Sequence, residues 1–232
     1  MTMPTNRRGL LITALAGAAV LPLAACTQEA VDCGKISPAE TPPAPAPVAV
    51  SDWMSWQGGV DLAAVTDPSF TQPNVIIHLA NMVHTPIGSA PSGMVLYQPD
   101  PKANPVVMGF VSSDPKLAAW FGPHIFAGTP FEKAPALTAA ITITEASDMK
   151  SAGSKITVAG HVFEVTFTDL GALAAIDRAA GSPMPFSQVG MEAIAGKVTL
   201  KVDGKEVPVT VPAAGLSGGN GAVWSPAGIY AR

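Results

Sequence analysis

Three side chains with metal-ligand chemistry fall at even spacing in one apolar stretch: His78, Met82 and His84. On a regular strand successive side chains alternate faces, so residues an even number apart share one. Imidazole and thioether together suit copper, above all Cu(I), and Met94 and Met108 follow on segments that can approach the same face. Copper is the one cofactor this set suggests. The plainer alternative has His78 and Met82 packed in a core and His84 opening the turn Thr85-Pro86-Ile87-Gly88.

A second group lies in two turn-rich loops, residues 84–93 and 122–132. Ser92 sits in the first; His124, Thr129 and Glu132 sit among Phe126 and Phe131 in the second. Polar groups set among aromatics can line a pocket mouth and orient a small ligand. Ser92 and His124 also supply the residue types of a hydrolase, if the fold brings nucleophile and base together. No His-Glu-x-x-His sequence, the metal-binding run of a zinc-dependent hydrolase, occurs in the chain. His161 and Glu164 lie three apart on an alternating segment and face opposite sides. Ser112-Ser113-Asp114 reads as the start of a helix, and no Gly-rich phosphate loop opens one.

The elements that would carry these residues are mostly strands. Val75–His84, Met94–Gln98 and Val106–Val111 are apolar runs separated by turn residues. Leu137, Ala139, Ile141 and Ile143 alternate with polar or small neighbours, as do Phe163, Val165 and Phe167 after a turn at Ala159-Gly160. Val198, Leu200 and Val202 lead into Asp203-Gly204, a tight hairpin signal. Pro208 marks the returning arm as an edge strand, and Ala222–Tyr230 adds a last strand. Asp114-Pro115 predicts a helix through Trp120, and Asp169 predicts a second with Leu170, Leu173 and Ile176 on one face and Gly181 as its stop. Trp53, Met54 and Trp56 read as a segment docked on the core. The sum is a mostly β domain over residues 51–232, an antiparallel sandwich or open barrel with two or three short helices.

Ahead of that domain the chain carries an address. Arg7 and Arg8 precede an apolar run from Gly9 to Leu21, then Leu23-Ala24-Ala25-Cys26. A basic start, a short apolar core and small residues at a cut site are the pattern of a secretory signal. The run is shorter than the roughly 20 residues a membrane span needs. Its ending resembles the lipobox of bacterial lipoproteins. That resemblance implies removal of residues 1–25 and lipidation of Cys26, with diacylglycerol on its sulfur and an acyl group on its new amine. Thr5-Asn6-Arg7-Arg8-Gly9-Leu10-Leu11 resembles the twin-arginine export motif, which implies export of a folded chain. Thr27 after the lipidated Cys implies the outer membrane in a Gram-negative cell. Residues 26–50 are Pro- and Ala-rich and predict an extended tether. Cys33, the only other cysteine, lies in it, so the body has no disulfide framework.

The whole chain has a formal charge of −4 with 13% charged residues. Without Arg7 and Arg8 it holds 11 basic and 17 acidic residues, a balance that argues against nucleic acid as partner. The expectation is therefore a membrane-anchored envelope lipoprotein, facing the periplasm or the cell exterior. It acts as a non-catalytic binding or accessory subunit for a small ligand or an envelope protein partner. The copper and hydrolase readings stand as alternatives.

Overall fold

The structure, a computed structural model, describes residues 52–145, 148–181, 184–216 and 219–232. The leader, Cys26, Cys33 and the tether lie outside the described residues. Eleven strands follow in chain order: β1 (Trp53–Ala64), β2 (Val75–Thr85), β3 (Gly88–Tyr97), β4 (Val107–Ser112), β5 (Ala136–Glu145), β6 (Ser151–Val158), β7 (His161–Leu170), β8 (Ala174–Arg178), β9 (Ser187–Val202), β10 (Lys205–Val207) and β11 (Ala222–Ala231). One α-helix, α1 (Pro115–His124), joins β4 to β5. The domain is mostly β, as its alternating sequence predicts.

Neighbouring strands pair antiparallel from β1 through β4 and from β5 through β7. β4 and β5 pair parallel over three residues; a parallel pair needs a crossover, and α1 provides it. The ladder then closes on itself. β9 is 16 residues long; its second half pairs with β7 and its first half with β11, which pairs with β1. Nine strands therefore form a ring, with β8 and β10 appended to β9. Closure leaves no long open edge on the ring.

Alternation fills the ring from inside. Val60 and Leu62 of β1, Ile77 of β2, Ile156 of β6, Phe163, Val165 and Phe167 of β7 and Leu200 of β9 belong to one buried cluster. Two hairpins set the register where the sequence asks for them. Ala159-Gly160 and Asp203-Gly204 all take positive φ, the conformation of the type I′ turn whose twist matches a hairpin. At the second, His161 Nδ1 donates to the Asp203 carboxylate at 2.9 Å and the Val162 N–H donates at 2.8 Å. The imidazole first and the amide second hold that carboxyl below the usual carboxylate range.

Two expectations need correction. The segment after Asp169 is not a helix, so the described residues hold one α-helix rather than two or three. Asp169 takes φ 55°, and residues 174–178 form β8 against the first half of β9. Three apolar residues at helical spacing are a weak signal; β9 offers a free row of backbone donors and acceptors, and pairing wins. Trp53 to Ala64 is not merely docked. It is a strand inside the ring, with Trp56 only 7% exposed.

α1 does form where predicted. The Asp114 carboxylate accepts from the Lys116 N–H at 2.8 Å, and Pro115 fills the first helical position. Leu117, Trp120 and Phe121 are buried against the outside of the barrel. There they join Trp56, Ile76, Val83, Met94 and Phe110 in a second cluster, distinct from the barrel interior.

A candidate small-ligand pocket on the outer barrel wall

The second cluster leaves a cavity of about 90 Å³ between the barrel wall and its cover. Its wall is the outward face of β1, β2, β3, β4, β9 and β11. Phe121 of α1, Phe126 and Phe131 of the loop after it, and Met184, Phe186 and Leu216 supply the cover. The rings touch in a chain: Phe110 with Phe126 at 4.9 Å, Phe126 with Phe186 at 5.6 Å, Phe186 with Tyr230 at 4.3 Å and Tyr230 with Trp56 at 4.8 Å between centroids. The cover is tied down by both ends of the described chain. His124 Nδ1 lies 3.1 Å from the Asp52 carboxylate, Arg232 donates to the Ile125 carbonyl at 3.3 Å, and the Arg232 N–H donates to the Asp52 carbonyl at 2.8 Å.

Polar groups gather at one side of this apolar space. Asp61 of β1 and His78 of β2 are opposite each other in the ladder, and the Asp61 carboxylate meets His78 Nε2 directly. Across β11, Glu192 of β9 is 8% exposed and takes both arms of Arg178: Nη1 to Oε1 at 2.8 Å and Nη2 to Oε2 at 2.7 Å. Arg178 Nη1 also donates to Gln188 Oε1 at 2.9 Å. Two parallel charge-assisted bonds make this the strongest polar contact described in the domain. The Tyr230 phenol lies within the field of both clusters. Burial pushes it well above the usual tyrosine range, the Asp61 and Glu192 charges push it further, and Arg178 opposes them. It stays a neutral hydroxyl.

Close backbone packing builds the wall. A side chain at Gly93 would run into the His78 carbonyl, so β2 and β3 meet there only because β3 carries a glycine. The Trp56 indole lies over Gly228, and its Nε1–H donates to Ser225 Oγ at 3.0 Å. That hydroxyl donates in turn to the Met191 carbonyl at 2.8 Å.

The residues singled out from sequence are distributed as follows. His78 lines the pocket, and its ladder partner Met94 lines it too. Met82 and His84 do not. The β2–β3 register shifts between Ala80 and Val83, so Ala80 and Val83 both fall in the outer cluster and the alternation reverses between them. His78 is thereby separated from Met82 and His84, and His84 Nδ1 pairs with Ser89 Oγ at 2.8 Å. Met108 is an exposed residue.

Ser92 lines the pocket but is fully buried, with its hydroxyl 2.8 Å from Ser112 Oγ and donating to the Ala90 carbonyl at 3.0 Å. His124 stacks on Trp120 at 4.7 Å and faces Asp52 rather than Ser92. Thr129 Oγ1 donates to the Phe126 carbonyl at 2.7 Å, and Glu132 Oε2 accepts from the Gly128 N–H at 2.6 Å. Thr129 and Glu132 thus close the turns that present Phe126 and Phe131; the aromatic residues, not the polar ones, reach the pocket. Asp61, Arg178, Gln188, Glu192 and Tyr230 carry the polar side of the site, and sequence reading passed over them. A signal existed for Asp61 alone, in the alternation Val60-Asp61-Leu62. Compared with family models, curated proteins and solved structures, the chain matches none.

Proposed function

We propose that this chain is a lipid-anchored protein of the bacterial envelope whose barrel binds a small, mainly apolar ligand without transforming it. The observation that carries the binding reading is the outer pocket. It combines a wall of aromatic and thioether side chains with a few buried polar groups on one side, the composition of a small-molecule site. Its volume is below the roughly 150 Å³ of an engineered cavity that accepts benzene, so the buried part of the ligand is compact. The pair Ser92 and His124 is not assembled for hydrolysis, since Ser92 bonds with Ser112 and His124 with Asp52.

Saturation-transfer NMR on the full-length protein, with four- to six-carbon alcohols, acids and amines, tests the pocket. Transfer to at least one class is expected, and it should vanish in Leu216→Trp, which fills the pocket from its half-buried rim. Absence of transfer to every class would overturn the reading.

The anchor rests on Arg7, Arg8 and Leu23-Ala24-Ala25-Cys26. Among the described residues no helix is long and apolar enough to cross a membrane. A buried acyl chain gains about 0.8 kcal/mol per CH₂, and two or more chains hold a protein stably. Cells fed an alkyne-tagged fatty acid should label the wild-type chain in the membrane fraction and leave Cys26→Ser unlabelled. Label retained in Cys26→Ser would dispose of the anchor.

A further inference from the structure

We propose that the pocket selects a small organic cation: an ammonium group carried on a compact apolar body. This rests on the small-ligand reading and adds the chemical class of the ligand.

The charge distribution argues first. Among the described residues, the acidic and imidazole side chains lining the cavity are Asp61, His78 and Glu192, and no Lys or Arg lines it. Glu192 is already matched, because Arg178 covers both of its oxygens. Among the described residues, the His78 imidazole is the one ion-pair partner of Asp61. With His78 neutral, the two pairs together carry one negative charge; with His78 protonated, they carry none. In neither state is the site positive. With His78 neutral, a carboxylate or phosphate entering it meets repulsion from Asp61, whereas an ammonium gains a partner.

The walls argue in the same direction. Trp56, Phe186 and Tyr230 form a contiguous aromatic surface in the same pocket as Asp61. Ring faces carry negative quadrupole charge and attract ammonium groups, more strongly once water is excluded. Burial first, and then the Asp61 and Glu192 carboxylates against the opposing Arg178, keep Tyr230 protonated; a cation placed there would feel the carboxylate part of that field with the favourable sign. An apolar body on the cation would contact Met54, Met94 and Phe126, whose thioethers and ring adapt to irregular shapes.

A matched set of three probes tests this at neutral pH by titration calorimetry of the full-length protein: tert-butylammonium, tert-butanol and trimethylacetate. They share one apolar body and differ in charge. The ammonium is expected to bind about tenfold tighter than the alcohol, a 1.4 kcal/mol preference, and trimethylacetate the weakest of the three. In Asp61→Asn the ratio of ammonium to alcohol affinity should fall to about one. Should that variant fail to fold, the order of the three probes on the wild-type chain still decides the matter. Alcohol or acid binding as tightly as the ammonium would overturn the cation assignment and leave the small-ligand reading standing. Binding of none of the three, together with no transfer in the NMR panel, would remove both.

Discussion

Replacing Arg178 with methionine is expected to lower the unfolding free energy by about 3 kcal/mol, the lower end for breaking a buried ion pair. The lower end applies because the Arg178 side chain is itself 24% exposed. Glu192 would be left 8% exposed, with Gln188 Nε2 at 3.4 Å as its remaining described side-chain donor. A desolvated carboxylate without a cation must stay charged at high cost or take up a proton. The pair also ties β8 to β9 by side chains as well as by backbone, since Arg178 ends β8 and Glu192 lies within β9. Urea unfolding of Arg178→Met and of Arg178→Met/Glu192→Gln separates charge from packing. If uncompensated charge is the cause, the double variant should regain most of the loss. A double variant as unstable as the single one would assign the loss to packing of the guanidinium. A single variant within about 1 kcal/mol of wild type would mean that water already solvates the pair.

The fold was more legible than the site because the two rest on signals of different range. Alternation in Phe163, Val165 and Phe167, or in Val198, Leu200 and Val202, is local, and the interior cluster contains five of these with Val198 packed against it. The Asp203-Gly204 turn is local too, since few residue pairs accept positive φ at both positions. What alternation cannot reveal is a register shift. One extra residue in β2 opposite Pro91 reverses every later side chain, and the grouping of His78 with His84 fails there. The polar side of the pocket depends on pairing between distant segments: Asp61 and Tyr230 line one pocket because β1 and β11 are neighbours, and Glu192 joins them because β9 follows β11. Arg178 lay in a segment that reads as the end of a helix until β9 is known to need a partner. The outer pocket is a further step removed. It exists because α1, required by the parallel β4–β5 crossover, lays its apolar face on a barrel wall that is itself apolar.

That origin makes Phe110 the residue whose loss should change the pocket most. It is 1% exposed, belongs to β4, and stands between the barrel and its cover, against Phe121 at 5.8 Å and Phe126 at 4.9 Å. Phe110→Ala is expected to cost about 3–5 kcal/mol, the range for removing a buried ring. In a domain of this size each kcal/mol corresponds to about 2–4 °C in Tm, so a fall of about 10 °C should be visible by calorimetry. The space vacated adjoins the existing cavity, since Phe110 lines it. The enlarged cavity should be apolar on that side and should accept benzene, as empty apolar cavities of about 150 Å³ do. A ligand that binds only the folded state at ten times its Kd contributes about 1.4 kcal/mol. Benzene should therefore raise the Tm of Phe110→Ala clearly more than that of the wild-type chain, whose cavity is smaller. Two results would contradict the geometry. A loss under about 2 kcal/mol would mean that α1 and Phe126 collapse into the gap, so the cover is not held by His124, Asp52 and Arg232 as described. A full loss with no response to benzene would mean that the vacated volume does not join the pocket.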